Sequence, residues 1–394
     1  MSTGSARPCP ACGNAIYSHV YRQRFAHFIE GSISDGYEVV ACSVCKTCYA
    51  TGLPDEARFS RYYSDSSKYD LTASFGEIPA VHRERLRDQA AFLAATVGRR
   101  DLPVLDVGTA TGGLLLALRD AGFTALYGVE PSPDSVRVAT QLRGLDVKVG
   151  DLSVARSWGM RFGVISFIAV LEHLLDPGGI IAEAKALLLD DGHLYLHVPA
   201  SEYFREHVSA PFQQFSVEHI NYFTSCSLRN LLARTGMDVV AARTVTVDES
   251  VDTKLTALEV VCRPTDRALS IEPDDSGLAA IDEYVAKSRE KERGISARLA
   301  ALSESGRPLY VWGTGTNALH LLAETPLAEC NILAFIDSNP HYSGSKLAGR
   351  TVMSPADLGE VEAPILVASA VSQSEIAAAA IARFGDSTQL LLLY

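Results

Sequence analysis

The chain has 394 residues, 47% hydrophobic and 21% charged, the balance of a globular protein with room for two or three domains. A formal net charge of -12 argues against a nucleic-acid partner, which would need a basic footprint. It also means that a phosphorylated ligand must find a local cluster of Arg, Lys or backbone N–H groups. The opening MSTGSARPCPACG has no apolar core of the signal-peptide kind, and runs such as Ala380–Ala382 and Leu390–Leu393 are too short to span a membrane. A cytoplasmic protein with no membrane partner is therefore expected.

Residues 1–75 are rich in Cys, Tyr, Ser and turn residues and poor in helical periodicity. Five of the eight cysteines fall here. Cys9-Pro-Ala-Cys12 and Cys42-Ser-Val-Cys45 are two Cys-x-x-Cys knuckles, each folding two thiolates onto one side of a tight turn. Together they predict a closed tetrahedral Cys₄ site for structural Zn²⁺, with Cys9, Cys12, Cys42 and Cys45 as ligands. Gly13 suits the left-handed turn of the first knuckle. A segment this small needs such a staple, and a closed site carries no chemistry of its own.

From residue 76 to 263 the pattern changes. AVHRERLRDQAAFLAATVG, from about residue 80, has helical spacing. Strand and helix signals then alternate through LPVLDVG, a helix from Leu114, LYGVE, a helix from Pro133, DVKVGD, FGVISFI, a helix at Gly179–Leu189 and HLYLHVP. A helix at Ser227–Thr235, capped by Thr224 or Ser225, and paired strands near Asp238–Thr246 and Leu255–Cys262 complete the unit. This is the rhythm of a doubly wound α/β sheet. Asp106-Val107-Gly108-Thr109-Ala110-Thr111-Gly112 runs from a buried strand into a glycine-rich turn. It resembles the Asp-x-Gly-x-Gly-x-Gly loop of class I (Rossmann-like) S-adenosylmethionine methyltransferases, with Ala110 in place of the middle glycine. Glu130 ends the next strand and Asp151 follows the third. Val170-Leu171-Glu172-His173 resembles the segment after the fourth strand of the same class. The resemblance implies that Asp106, Gly108, Ala110, Gly112, Glu130 and Asp151 hold S-adenosylmethionine, Glu130 on the ribose and Asp151 on the adenine amino group.

Residues 264–305 read as a Pro- and Asp-bearing linker (Pro264–Gly277) and a polar amphipathic helix (Leu278–Ser303). Residues 306–394 repeat the α/β rhythm, with PLYVWG, a helix from Asn317, ILAFID, PILVAS, a helix at Ser374–Phe384 and QLLLLY. Gly313-Thr314-Gly315 is a second glycine turn, and Asp337 ends the following strand, as in a nucleotide-binding half-site.

The three-part layout, a zinc module, a methyltransferase domain and a C-terminal Rossmann-like domain, resembles that of nucleotide-sugar C-methyltransferases of deoxysugar biosynthesis. Their Tyr-x-Glu-His signature followed by Tyr-Phe is matched by Glu218, His219, Tyr222 and Phe223, with Ser216 where the family has Tyr. His173 matches the family's histidine after the fourth strand. The resemblance implies His219 as the base that removes a proton beside a keto group, Glu218 as its orienter and His173 as a stabiliser of the enolate oxygen. It also implies Tyr63, Ser216 and Tyr222 as substrate contacts, Tyr63 from the tyrosine-rich stretch Tyr62–Tyr69. The small-molecule substrate would then be a nucleotide-linked keto-deoxysugar. The alternative is O- or N-methylation of another sugar, glycan precursor or natural product, in which His219 deprotonates a hydroxyl or only binds substrate.

Overall fold

The computed structural model describes residues 7–28, 32–65, 78 and 80–394. Residues 66–69, the end of the tyrosine-rich stretch, lie outside the described residues. The first three strands, β1 (Tyr17–Arg24), β2 (Gly36–Cys42) and β3 (Cys48–Thr51), form an antiparallel meander. The cysteine knuckles flank it. In the first knuckle the Gly13 amide donates to Cys9 O at 2.9 Å, with Gly13 at φ +79°. In the second, Lys46 takes the equivalent left-handed position at φ +62°. Helices α1 (Glu56–Asp65) and α2 (Ala80–Val97) follow.

The doubly wound unit then begins. Its parallel strands are β4 (Val104–Val107), β5 (Leu126–Glu130), β6 (Asp146–Val149), β7 (Phe162–Ile168) and β8 (Leu188–Pro199). Between them run α3 (Gly113–Asp120), α4 (Pro133–Arg137), α5 (Leu152–Ser157) and α6 (Pro177–Leu187). Strands β4 and β7 are apolar runs because helices cover both faces of a parallel sheet. The helix expected from Pro133 is interrupted, since α4 passes after Arg137 into a π-turn, Val138–Leu142. After β8 the chain leaves the sheet, forms the two-residue strand β9 (Asn221–Tyr222), then α7 (Ser225–Arg234), and returns as β10 (Met237–Asp248) and β11 (Lys254–Pro264). Of the two expected caps, Thr224 is used; its hydroxyl accepts the Ser227 amide at 2.9 Å. The sheet order is β10-β11-β8-β7-β4-β5-β6, with β11 antiparallel to both neighbours.

Helix α8 (Asp275–Ser305) starts three residues earlier than its periodicity suggests. Asp274 caps it, accepting the Gly277 amide at 2.9 Å, and pulls the end of the supposed linker into the helix. The third sheet comprises β12 (Leu309–Trp312), β13 (Ile332–Ile336), β14 (Lys346–Leu347), β15 (Arg350–Met353), β16 (Ile365–Val367) and β17 (Leu390–Leu392), ordered β14-β15-β13-β12-β16-β17. Helices α9 (Thr316–Glu324) and α10 (Gln373–Phe384) accompany it.

The three sheets share interiors. Tyr21 and Phe25 of the first unit, Phe212 and Phe215 of the β8–β9 connection, Tyr284 of α8 and Leu319 and Leu321 of α9 belong to one buried cluster. Tyr21 stacks on Phe212 with centroids 4.1 Å apart, and the Ala26 amide donates to Leu319 O at 2.9 Å. Strand β9 pairs antiparallel with β3 and so belongs to the N-terminal sheet, although it is drawn from the middle of the chain. Arg7 locks that pairing. Its guanidinium donates to Ala50 O (2.8 Å), Leu175 O (2.8 Å), Ile220 O (2.6 Å) and Asn221 Oδ1 (2.7 Å). The Asn221 amide reaches onward to Leu171 O (2.7 Å) and Leu174 O (2.8 Å). Burial lowers the Arg7 pKa to about 10, which still leaves it charged at neutral pH.

Arg7→Met should therefore cost about 3 kcal/mol, because it strands several buried carbonyls together. Arg7→Lys should restore only part of the loss, since a compact ammonium does not span the same fork. Urea unfolding of the metal-loaded protein measures both.

Candidate active site

The carboxyl ends of β4, β5, β6 and β7 meet along one edge of the central sheet, where open α/β folds bind ligands. Gly108 (φ +72°) and Gly112 (φ +83°) both need left-handed backbone. A Cβ on Gly108 would lie 2.8 Å from Val170 Cγ2, so the glycine lets the turn after β4 touch the turn after β7. Ala110, in the middle-glycine position, adopts φ +48°, a conformation costly for a residue with a Cβ. Its amide donates to Glu130 Oε2 at 2.8 Å, and the Ser132 amide donates to Glu130 Oε1 at 3.0 Å. The Glu130 carboxylate is thus aimed by two backbone amides beside the glycine turn. Asp106 is buried under the turn and accepts the Ser166 hydroxyl at 2.6 Å; burial raises its pKa to about 6. Asp151 is exposed and acts as the N-cap of α5, accepting the Ser153 amide at 2.9 Å. It stands at the same sheet edge, but a helix cap already occupies one of its oxygens.

The second group of residues lies beside this edge. Leu171–His173 form a 3₁₀ turn after β7, and residues 216–219 form the turn that leads into β9. The two are tied where the Ile220 amide donates to Glu172 O at 2.8 Å. His173 and His219 face each other with ring centroids 4.9 Å apart, and Tyr63 packs edge-on against His173 at 5.9 Å. His173 Nδ1 lies 3.2 Å from Glu218 O, so it carries the proton and donates, leaving Nε2 as the basic nitrogen. His173 is buried and His219 half-buried. The ligand atoms of Glu172, His173 and His219 lie within 4.8 Å of one another.

Three of the expected site residues have partners within the fold. Tyr222 is a core residue, 2% exposed, with its hydroxyl against Tyr37 Oη (3.2 Å) and His219 O (3.1 Å), because its strand pairs with β3. Ser216 is a turn cap whose Oγ accepts the amides of Glu218 (3.2 Å) and His219 (3.0 Å). The Glu218 carboxylate accepts from Tyr62 at 2.7 Å, and it is the Glu218 backbone carbonyl that orients an imidazole, that of His173. Sequence reasoning missed Glu172, Tyr62, Asn221 and Arg7. Glu172, Tyr62 and Asn221 stood inside stretches already singled out, but nothing local marked Arg7.

In the first unit, Cys9 and Cys45 Sγ lie 3.5 Å apart and Cys12 and Cys42 Sγ 3.4 Å apart, with all four sulfurs within 4.8 Å. Four thiolates at about 2.3 Å from Zn²⁺ stand about 3.8 Å from one another, so the cluster fits a tetrahedral ion. The hydrogen bond from Cys9 lowers the Cys45 pKa to about 5 and helps supply a thiolate. In the third sheet, Asp337 Oδ2 accepts the Thr314 amide (2.9 Å) and hydroxyl (2.6 Å), while Oδ1 accepts the Asn339 amide (2.8 Å). That carboxylate closes its own loop, in place of the ribose contact its position suggested.

Residues 80–242 match the family model described as a methyltransferase domain. The chain carries a methyltransferase domain. Its central sheet has the class I Rossmann-like fold, and the chain is a methyltransferase enzyme. No curated protein matches it in sequence at a significant level. Among solved structures, magnesium protoporphyrin IX methyltransferase from Synechocystis PCC 6803 with bound SAH is 18% identical, with a TM-score of 0.41 over 52% of this chain and 99% of that one. A methyltransferase from Methanosarcina mazei is 18% identical, with a TM-score of 0.37 over 44% and 97%. Another from Clostridium acetobutylicum is 11% identical, with a TM-score of 0.38 over 50% and 100%. Among the described residues, no helix of the methyltransferase is long and apolar enough to cross a membrane.

Two outcomes are expected for the donor loop. Because the folded-state pKa of Asp106 is raised, its contribution to stability is fully present below the unfolded value near 4 and is lost as pH rises through about 6. Asp106→Asn should remove this slope, worth up to about 3 kcal/mol, when denaturant unfolding at pH 4.5 and 7.5 is compared with wild type. Ala110→Gly should raise stability by about 1 kcal/mol by relieving the left-handed alanine, read from the urea midpoint.

Proposed function

We propose that the methyltransferase binds its donor along Asp106, Gly108, Ala110, Gly112, Glu130 and Asp151, and takes the acceptor's proton at the His173–His219 pair. The observation that carries this reading is the meeting of two imidazoles, one with its tautomer fixed by a backbone carbonyl, at the sheet edge that holds the glycine turn. S-adenosylmethionine supplies an electrophilic methyl group. The protein must aim it, exclude water and relieve the acceptor of a proton. Glu130, at the end of β5 and aimed by two backbone amides beside the glycine turn, is placed for the ribose hydroxyls. His219, half-buried and so within reach of a bound molecule, is the base. His173, its Nδ1 proton directed at Glu218 O, is placed beside the developing oxyanion.

The acceptor we favour is a nucleotide-linked keto-deoxysugar, methylated on carbon through an enolate. The match of Glu218, His219, Tyr222 and Phe223 to that family's signature supports it, as does the third sheet packed against the 216–219 turn, where the Val217 amide approaches Thr316 Oγ1 at 3.4 Å. Cys9, Cys12, Cys42 and Cys45 would hold a structural Zn²⁺, and their unpaired thiols suit the reducing cytoplasm.

Calorimetry of the metal-loaded protein with S-adenosylhomocysteine should give one site per chain, and absence of binding removes the donor assignment. Incubation of a nucleoside-diphosphate 4-keto-6-deoxyhexose in D₂O without donor should place deuterium beside the keto group. His219→Asn should slow that exchange by about 100-fold or more while leaving donor affinity intact. O- or N-methylated product without such exchange would replace the carbon reading with the alternative.

A further inference from the structure

Glu172, His173 and His219 form a second cluster of metal-ligating side chains, with chemistry unlike that of the four cysteines. One carboxylate and two imidazoles place their ligand atoms within 4.8 Å of one another. Around a tetrahedral ion such atoms stand about 3.3 Å apart, a difference that small side-chain rotations close. The scaffold has the features of a built site. The two contributing turns are joined by the Ile220 amide to Glu172 O at 2.8 Å, and Asn221 fixes the first turn at Leu171 O and Leu174 O. His173 gives its Nδ1 proton to Glu218 O at 3.2 Å, which leaves the lone pair on Nε2. An imidazole that donates its second N–H to a backbone carbonyl is the usual outer-shell arrangement of a metal-bound histidine. Glu172 is 1% exposed, so a cation beside it would face little competition from water.

We propose that Glu172, His173 and His219 bind one divalent transition-metal ion, distinct from the ion of the cysteine cluster. The donor set is mixed nitrogen and oxygen, suited to Zn²⁺, Co²⁺ or Fe²⁺ and less suited to Mg²⁺ or Ca²⁺. Three protein ligands leave a coordination position for an oxygen of a bound molecule, where the cysteine site leaves none. If the proton-transfer reading above is right, the ion has a regulatory consequence. An imidazole lone pair can hold a metal or take a proton, and not both, so metal occupancy silences His219 as a base.

The test uses the full chain with its cysteine site filled by zinc. Titration with Co²⁺ should show uptake of one further ion per chain, with visible d–d absorption and no thiolate-to-cobalt charge-transfer band. Glu172→Gln, His173→Asn and His219→Asn should each weaken that uptake by about 10-fold or more while leaving the zinc content unchanged. Because a variant can lose the turn as well as the ligand, cobalt-edge absorption on the unsubstituted protein provides the second measurement. It should report two imidazoles and no sulfur. No uptake beyond the zinc, or sulfur among the cobalt ligands, overturns the site and leaves methyl transfer untouched. Full cobalt occupancy with undiminished methyl transfer would keep the site and remove His219 as the base.

Discussion

The edge where the two histidines meet depends on a half-buried cation held by backbone carbonyls. The Arg7 guanidinium is held by the carbonyls of Ala50, Leu175 and Ile220 and by the Asn221 side chain. A buried charge is tolerated when every donor meets an acceptor, and a planar fork does this across several segments at once. These segments are the third strand of the N-terminal sheet, the turn bearing Glu172 and His173, and the turn bearing His219. One side chain therefore bridges segments far apart in the chain, beside the turns where the two imidazoles approach to 4.9 Å.

The glycine turn after β4 is organised by backbone strain and close approach. Left-handed residues cluster where the loops after β4 and β7 meet, with glycines at 108 and 112 and alanines at 110 and 169. Such conformations persist where the surroundings over-determine them. Here the amide of the strained alanine is spent on aiming Glu130, and Gly108 gives room to Val170.

The parts legible in the sequence were those with a period or a spacing. The parallel sheet announced itself through alternating apolar runs and helices, and the cysteine cluster through two identical knuckles. The π-turn at Val138–Leu142 was not legible, because continuous helical spacing does not reveal one extra residue in a turn. Nor was β9, since two residues carry no pattern and the pairing with β3 is long-range. Glu218 and His219 were read as partners because the family resemblance implies that role. In the turn their side chains go different ways, the carboxylate to Tyr62 and the imidazole to His173. Arg7 was invisible because its acceptors are backbone carbonyls, which leave no trace in side-chain chemistry.

The return of β9 to the N-terminal sheet has a bearing on where the chain can be cut. The stretch recognisable as a methyltransferase, residues 80–242, holds the glycine turn and both histidines but none of β1–β3, on which the second histidine's turn is hung. The glycine turn and both histidines thus lie in one stretch of the gene, while the strand that supports the second histidine's turn comes from another. The middle third cloned alone would therefore leave β9 an unpaired edge, without the strand that holds the turn before it.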